Sequence, residues 1–147
     1  MRVEGNYSIA ASPERVWTIL MDPAFLQLAI PGCEEMEMES PNVYRVKIKA
    51  GVAAIRTSFT GQVRLEDLRK PAHYRMVTTA QGAAGFVNGA GEIDLAADGA
   101  GTTVRYVGEV QVGGMLAAVG SRMVEAAFRK SAADFFNAVS DAAGRSR

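Results

Sequence analysis

The stretch MLAAVGSRMVEAAFRKSAADFFNAVSDAAG, residues 115–144, decides the fold that this sequence predicts. It follows the pair Gly113-Gly114, and its apolar residues recur at the three- and four-residue spacing of an amphipathic helix. They form two adjoining stripes: Leu116, Val119, Met123, Ala126 and Ala127, and beside them Val124, Phe128, Phe135 and Val139. We predict one long helix that begins after the glycine pair and ends at Gly144, with an apolar face that other elements must cover.

The residues ahead of this helix alternate between apolar and polar side chains, which is typical of half-buried strands. In NVYRVKIKA, residues 42–50, the side chains of Tyr44, Val46 and Ile48 fall on one face and charged side chains on the other. The same alternation runs through residues 55–68, 73–81, 86–97 and 102–112. Because the links between these segments are too short for helical crossovers, we predict consecutive antiparallel strands.

Two short helices are predicted between the first strand, residues 2–10, and the later strands. Ser12 is placed as an N-cap with Pro13 at the first helical position, and Asp22-Pro23 starts a second helix that Pro31-Gly32 ends. This order predicts an α+β helix-grip fold, in which a curved antiparallel sheet of about seven strands wraps the long C-terminal helix. We expect residues 1–147 to form a single domain.

The inward positions of the predicted sheet include several glycines, namely Gly61, Gly89, Gly91 and Gly108. A curved sheet wrapped about a helix leaves a gap unless large side chains fill it, and glycine fills little. We therefore predict an internal apolar cavity. A filled core is the alternative, because glycines also relieve curvature in bent strands.

Composition excludes several classes of protein. The 16 Lys and Arg residues balance the 16 Asp and Glu residues, without the basic excess of a nucleic-acid-binding protein. With Cys33 as the only cysteine and His73 as the only histidine, neither an intrachain disulfide nor a Cys/His metal cluster can be assembled. No signal peptide and no apolar run long enough to span a bilayer are present. We expect a cytoplasmic protein with no metal and no cofactor, whose membrane contact is at most peripheral.

Three segments together resemble one known family. They are ASPERVWTILMDP (residues 11–23), IPGCEE (residues 30–35), and GEIDL followed by GTTVRYVGEVQVGGMLAAVGSR (residues 91–95 and 101–122). They are similar to the CoxG-like family of carbon monoxide dehydrogenase subunits, within the START-like (SRPBCC) helix-grip superfamily, which also contains polyketide cyclases. The resemblance covers residues 1–140, and the pairing of IPGC with VGGMLAAVGSR is its most specific part.

The resemblance implies a non-enzymatic companion of a molybdenum hydroxylase of the carbon monoxide dehydrogenase type. Such companions are associated with maturing the enzyme or recruiting it to the membrane, where electrons pass to quinones. An apolar cavity suits this role, because an isoprenoid tail gains roughly 25 cal/mol for each Å² of apolar surface removed from water. Longer members carry a further C-terminal segment thought to contact the membrane, whereas this sequence ends at Arg147. We therefore expect binding of a quinone or lipid rather than stable membrane anchoring.

Ten apolar or aromatic residues are predicted to contact the ligand: Trp17, Phe25, Leu28, Ile30, Tyr44, Phe59, Tyr106, Leu116, Val119 and Met123. The second short helix, with Phe25, Leu28 and Ile30, is expected to close the mouth of the cavity. Phe59 and Tyr106 could stack on a quinone ring. For each of these side chains, ordinary core packing is the alternative interpretation.

Two other functions stay open at the level of sequence. A polyketide cyclase-like enzyme would use Tyr44, Tyr106 and Arg122 as acid-base groups converging in the cavity. A protein-interaction module would have a filled core and no ligand. Cys33 follows a predicted helix end without a neighbouring base, so we interpret it as a structural thiol rather than a reactive one.

Overall fold

Seven β-strands form one antiparallel sheet. In the computed structural model, which describes residues 1–52 and 54–145, the strands are β1 (Arg2–Ile9), β2 (Cys33–Ser40), β3 (Val43–Val52), β4 (Ile55–Arg69), β5 (His73–Gly82), β6 (Gly85–Asp98) and β7 (Gly101–Gly113). Their order across the sheet is β1-β7-β6-β5-β4-β3-β2. The curved sheet wraps the C-terminal helix, so the predicted α+β helix-grip fold is confirmed.

The helices are α1 (Pro13–Leu20), α2 (Pro23–Ala29), α3 (Met115–Ala118) and α4 (Ser121–Arg145). The first two begin where the sequence predicts. The Ser12 hydroxyl accepts a hydrogen bond from the Arg15 backbone N–H at 3.3 Å, which caps α1. The Asp22 carboxylate accepts one from the Ala24 N–H at 3.0 Å and caps α2 in the same way.

The single helix predicted over residues 115–144 is divided, which corrects that prediction. The chain leaves the helical conformation at Gly120, whose φ of +96° is a conformation that favours glycine. The first piece, α3, is therefore a single turn, and α4 begins anew at Ser121 and runs past Gly144.

The buried face of α4 also differs from the two predicted stripes. Leu116 on α3 is buried, but Met123 is 47% exposed and Ala126 is exposed, so the first predicted stripe does not continue. The buried positions of α4 are Val124, Phe136, Val139 and Ala143. Phe136 belongs to neither predicted stripe. The break at Gly120 separates Leu116 and Val119 from the rest of the first stripe. The second stripe lies wholly within α4, where Phe136, three residues before Val139, shares its buried face and Phe135 is half-buried.

The interior contains two clusters of buried side chains. The larger one, here called the filled half, is rich in aromatic rings: Trp17 packs edge-to-face on Tyr74 with centroids 5.7 Å apart, and Tyr7 stacks on Phe136 at 4.8 Å. The smaller one, here called the hollow half, is built on Phe59, Ala80, Ala84 and Leu116.

Candidate ligand cavity

The hollow half contains a partly open cavity of about 230 Å³ between the sheet and the first half of α4. Strands β3 to β7, the corner between α2 and β2, α3 and α4 all contribute to its wall. The residues that line it are Ile30, Pro31, Ile48, Ala50, Gly51, Val52, Phe59, Thr78, Ala80, Val87, Val112, Leu116, Ala127, Phe128 and Ser131. A space is therefore present where the sequence predicts one, and the core is not filled throughout.

The wall of the cavity is almost entirely apolar. Among the described residues that line it, only Thr78 and Ser131 have polar side chains, and neither side chain is titratable. The same lining residues include no carboxylate, imidazole or thiol, the groups that most often hold metal ions in proteins. The cavity is thus suited to van der Waals and hydrophobic contact, with two hydroxyl groups available for hydrogen bonds.

Small side chains, rather than the predicted glycines, leave this space open. Ala50, Gly51 and Ala80 on the sheet and Ala127 on α4 all line the cavity. None of Gly61, Gly89, Gly91 and Gly108 does.

Gly61 has a different role, because the neighbouring strand leaves no room for a side chain at this position. A Cβ atom at Gly61 would lie 1.8 Å from the carbonyl oxygen of Thr79, so the close approach of β4 and β5 excludes a side chain there. Glycine at position 61 therefore lets β4 and β5 pack closely, and it does not contribute to the cavity.

Three of the ten predicted contact residues line the cavity: Ile30, Phe59 and Leu116. They come from three separate elements, namely the end of α2, strand β4 and helix α3. The fold therefore brings these three side chains together around one space.

Four other predicted residues, all aromatic, lie outside the cavity. Trp17 and Tyr44 are buried within the filled half. Tyr106 stacks on Phe136 with centroids 5.8 Å apart, and Phe25 contacts Phe135 edge-on at 6.1 Å. These rings fill the core or its margin and contribute no lining surface.

The last three predicted residues are on exposed or half-exposed surfaces. Leu28 is 88% exposed on the outer side of α2, Met123 follows the break at Gly120, and Val119 is half-buried at that break. None of the three lines the cavity.

The corner between α2 and β2 is fixed to the sheet. Gly32 has a φ of +77°, and a Cβ atom there would lie 2.0 Å from the carbonyl oxygen of Lys49. The Lys49 N–H donates a hydrogen bond to the Gly32 oxygen at 2.9 Å, which holds the corner against β3. This contact explains the Pro-Gly step of IPGC and positions Ile30 and Pro31 at the cavity.

Cys33 begins β2 and is half-buried. Its thiol donates a weak hydrogen bond to the carbonyl oxygen of Glu35 at 3.4 Å. Burial raises the pKa of the Cys33 thiol, because desolvation disfavours the thiolate. The side chain is not part of the cavity wall.

None of the acid-base groups of the cyclase interpretation lines the cavity. Tyr44 is on β3 and Tyr106 is on β7, with three strands between them, and Arg122 is exposed on α4. Burial is the main cause that raises the pKa of both tyrosines. His73 lies on the outer face of the sheet, where its Nδ1 is 2.8 Å from a carboxylate oxygen of Asp94.

Comparison with known proteins identifies the family. The sequence profile of the CoxG family of carbon monoxide dehydrogenase subunits matches residues 5–144. The chain belongs to this family. The resemblance carried by IPGC and VGGMLAAVGSR is thereby confirmed. No protein of curated function matches the CoxG-family chain significantly.

The solved structures of similar fold include a protein that is also similar in sequence. A conserved protein from Geobacillus kaustophilus is 30% identical to this CoxG-family chain, with a TM-score of 0.95 over 99% of this chain and 97% of that one. The Zhui aromatase/cyclase from Streptomyces shares the fold at 19% identity and a TM-score of 0.74, over 99% of this chain and 94% of that one. A START superfamily protein from Mycobacterium smegmatis does so at 14% identity and a TM-score of 0.74, over 98% of this chain and 97% of that one. At these identities the last two likenesses concern the fold alone.

The helices of the CoxG-family chain are short or amphipathic. Within residues 1–52 and 54–145, none of them combines the length and the apolar character needed to cross a bilayer.

Proposed function

We propose that this CoxG-family protein binds an apolar small molecule of the quinone or lipid class and serves as an accessory protein of a molybdenum hydroxylase of the carbon monoxide dehydrogenase type. The observation that carries the proposal is the apolar cavity of about 230 Å³ between the sheet and α4. Filling it with apolar ligand surface is favourable by roughly 25 cal/mol for each Å² removed from water.

The size of the cavity limits what it can enclose. An apolar cavity of about 150 Å³ holds one benzene molecule, whereas pockets for drug-sized ligands are about 300–1,000 Å³. The space of about 230 Å³ therefore suits one ring or a short length of isoprenoid or acyl chain. The rest of a larger ligand would lie at the opening, or the cavity would have to widen.

The two hydroxyl groups provide a means of orienting such a ligand. Thr78 on β5 and Ser131 on α4 are the polar side chains at the wall, on opposite sides of the space. A hydroxyl can donate one hydrogen bond to a quinone carbonyl or to an ester oxygen. We expect the polar end of the ligand to use one of these groups and its apolar part to contact the aliphatic side chains.

Family membership and the lack of convergent acid-base groups support an accessory role over a cyclase role. The family takes its name from the CoxG subunit of carbon monoxide dehydrogenase. A cyclase needs at least two positioned proton-transfer groups, and the described residues of the cavity wall supply only two neutral hydroxyls. A peripheral contact with the inner face of the membrane would give the protein access to a membrane-soluble ligand.

The binding part of the proposal is tested on purified protein. Organic extraction followed by mass spectrometry should recover a co-purified quinone or lipid. Isothermal titration with quinones of increasing chain length should then show saturable binding at one site. Calorimetry is preferable to tryptophan fluorescence, because Trp17 is in the filled half and not at the cavity. If no quinone or lipid binds saturably, the ligand-binding role is wrong.

The accessory part is tested separately, with the purified subunits of a molybdenum hydroxylase of the carbon monoxide dehydrogenase type from the same organism. We expect this protein to co-elute with the assembled hydroxylase in size-exclusion chromatography. Separate elution at concentrations well above those in the cell would contradict the accessory role, and it would leave ligand binding to be judged by the titration.

A further inference from the structure

Helix α3 is a single short turn between two glycines of positive φ. It is one turn long, Met115–Ala118, and glycines in left-handed conformations flank it: Gly114 with φ +74° and Gly120 with φ +96°. A Cβ atom at Gly120 would meet nothing within 4 Å, so surrounding atoms do not hold this position in place. At Gly114 a Cβ atom would lie 2.7 Å from the Gly85 Cα atom, so this end of the segment is packed against the start of β6, and the freedom of movement lies at Gly120.

Leu116 is the buried side chain of α3 and its main anchor. Leu116 is 3% exposed and packs with Phe59, Ala80 and Ala84, whereas Met115, Ala117 and Ala118 are exposed. The Leu116 N–H donates a hydrogen bond to the Ala84 oxygen at 3.1 Å, and the bonds that close the following turn are long, at 3.3 and 3.4 Å. Few buried contacts together with solvent-exposed hydrogen bonds are characteristic of locally unstable segments.

The same side chain is part of the cavity wall. If α3 turned outward, Leu116 would leave the wall and the cavity would become both wider and open at that side. Helix α2, the predicted lid, offers no comparable movement, because Leu26 and Ala29 are buried and the corner at Gly32 is hydrogen-bonded to β3.

We propose that α3 is the gate of the ligand cavity and that Leu116 is the residue that closes it. The proposal rests on the proposed function, since a gate requires a ligand. It also offers a way for the cavity to widen, because displacement of Leu116 would add room for a ligand larger than about 230 Å³. The end of the ligand would then replace the contacts of Leu116 with Phe59 and Ala80.

Stopped-flow binding of the apolar dye phenylnaphthylamine tests the gate. In the natural protein the observed association rate should reach a plateau as the dye concentration rises, because opening of α3 becomes limiting. In Leu116→Ala both the plateau and the dissociation rate should rise several-fold. Met115→Ala is the matched control on the exposed side of the same turn, and it should change neither rate.

Other outcomes overturn the gate. If Leu116 were only a wall contact, Leu116→Ala would accelerate dissociation and leave association unchanged. An association rate that increases linearly with dye concentration in both proteins would likewise contradict gating.

Hydrogen exchange of the natural protein is an independent measurement, and it does not require Leu116→Ala to fold. The amides of residues 116–120 should exchange faster than those of Leu26 and Ile30, and the dye should slow them. Faster exchange in α2 than in α3, or no effect of the dye on α3 where the dye binds saturably, would contradict the proposal. If the dye and every quinone fail to bind, the proposed function fails, and the exchange rates still decide whether α3 opens.

Discussion

The filled and hollow halves of the interior share strands and a helix but differ in side-chain size. Strand β5 presents Tyr74 to the filled half and Ala80 to the hollow half, six residues apart on the same face. Helix α4 contributes Phe136 to one and Ala127 to the other. The fold alone therefore does not determine where the cavity lies. A few alanines in place of aromatic rings determine it, while the filled half supplies the packing that holds the sheet on the helix.

The largest expected effect is in the filled half. Trp17→Ala should lower the free energy of unfolding by about 3–5 kcal/mol, because it removes a buried ring that packs on Tyr74 and leaves a cavity. Chemical denaturation monitored by circular dichroism measures this loss. A change well below about 1 kcal/mol would mean that this region is not tightly packed, and the contrast between the halves would then be lost.

A pair of identical substitutions on α4 compares the two halves directly. Ala143→Leu, in the filled half, should cost about 1–3 kcal/mol because there is no room for the larger side chain. Ala127→Leu, at the cavity, should instead stabilise the protein by about 0.5–2 kcal/mol by filling space. Thermal unfolding of both variants gives the comparison, and equal losses of stability would show that the two halves are equally packed.

The strands and their faces can be predicted from the sequence, because a period of two identifies the inward side chains wherever one face of a sheet is solvated. Phe59 is predicted correctly as an inward residue for this reason. Leu116 is also placed correctly, since it precedes the break at Gly120. Met123 is not, because the prediction carries the helical period across a glycine whose backbone leaves the helix.

The cavity wall itself cannot be predicted residue by residue. Which inward positions line a space and which fill it depends on the side chains opposite, and these follow from the packing of α4. Ala80 and Val112 have no local signal that separates them from ordinary core residues. Gly120 is the one available signal for the break, since glycine commonly follows a helix end.

Within the hollow half, a buried charge should weaken binding. Ile30→Asp places a carboxylate at the apolar wall and should reduce quinone affinity at least about tenfold, which corresponds to 1.4 kcal/mol. Leu28→Asp is the control on the same segment, because Leu28 is exposed and does not line the cavity. Calorimetric titration of both variants is the measurement. Equal weakening by both substitutions would indicate that α2 as a whole, and not the cavity wall, contacts the ligand.

The smallest effect is expected at Cys33. Cys33→Ser should leave quinone affinity unchanged, because the thiol is outside the cavity wall. Since burial raises the pKa of Cys33, its thiolate fraction at neutral pH is below that of an ordinary thiol. Alkylation by iodoacetamide should therefore be slower than in the unfolded chain and should accelerate only at higher pH. Rapid alkylation near neutral pH, or loss of binding in Cys33→Ser, would restore Cys33 as a functional candidate.

Whether the hollow half is a ligand site is decided by a calorimetric titration of a short-chain quinone against the natural protein and Ala127→Leu. We predict saturable binding at one site in the natural protein, and loss of that binding in a variant that is at least as stable. Equal binding by both proteins would place the ligand elsewhere. Absence of binding to the natural protein, tested across quinones and lipids, would contradict the ligand site outright.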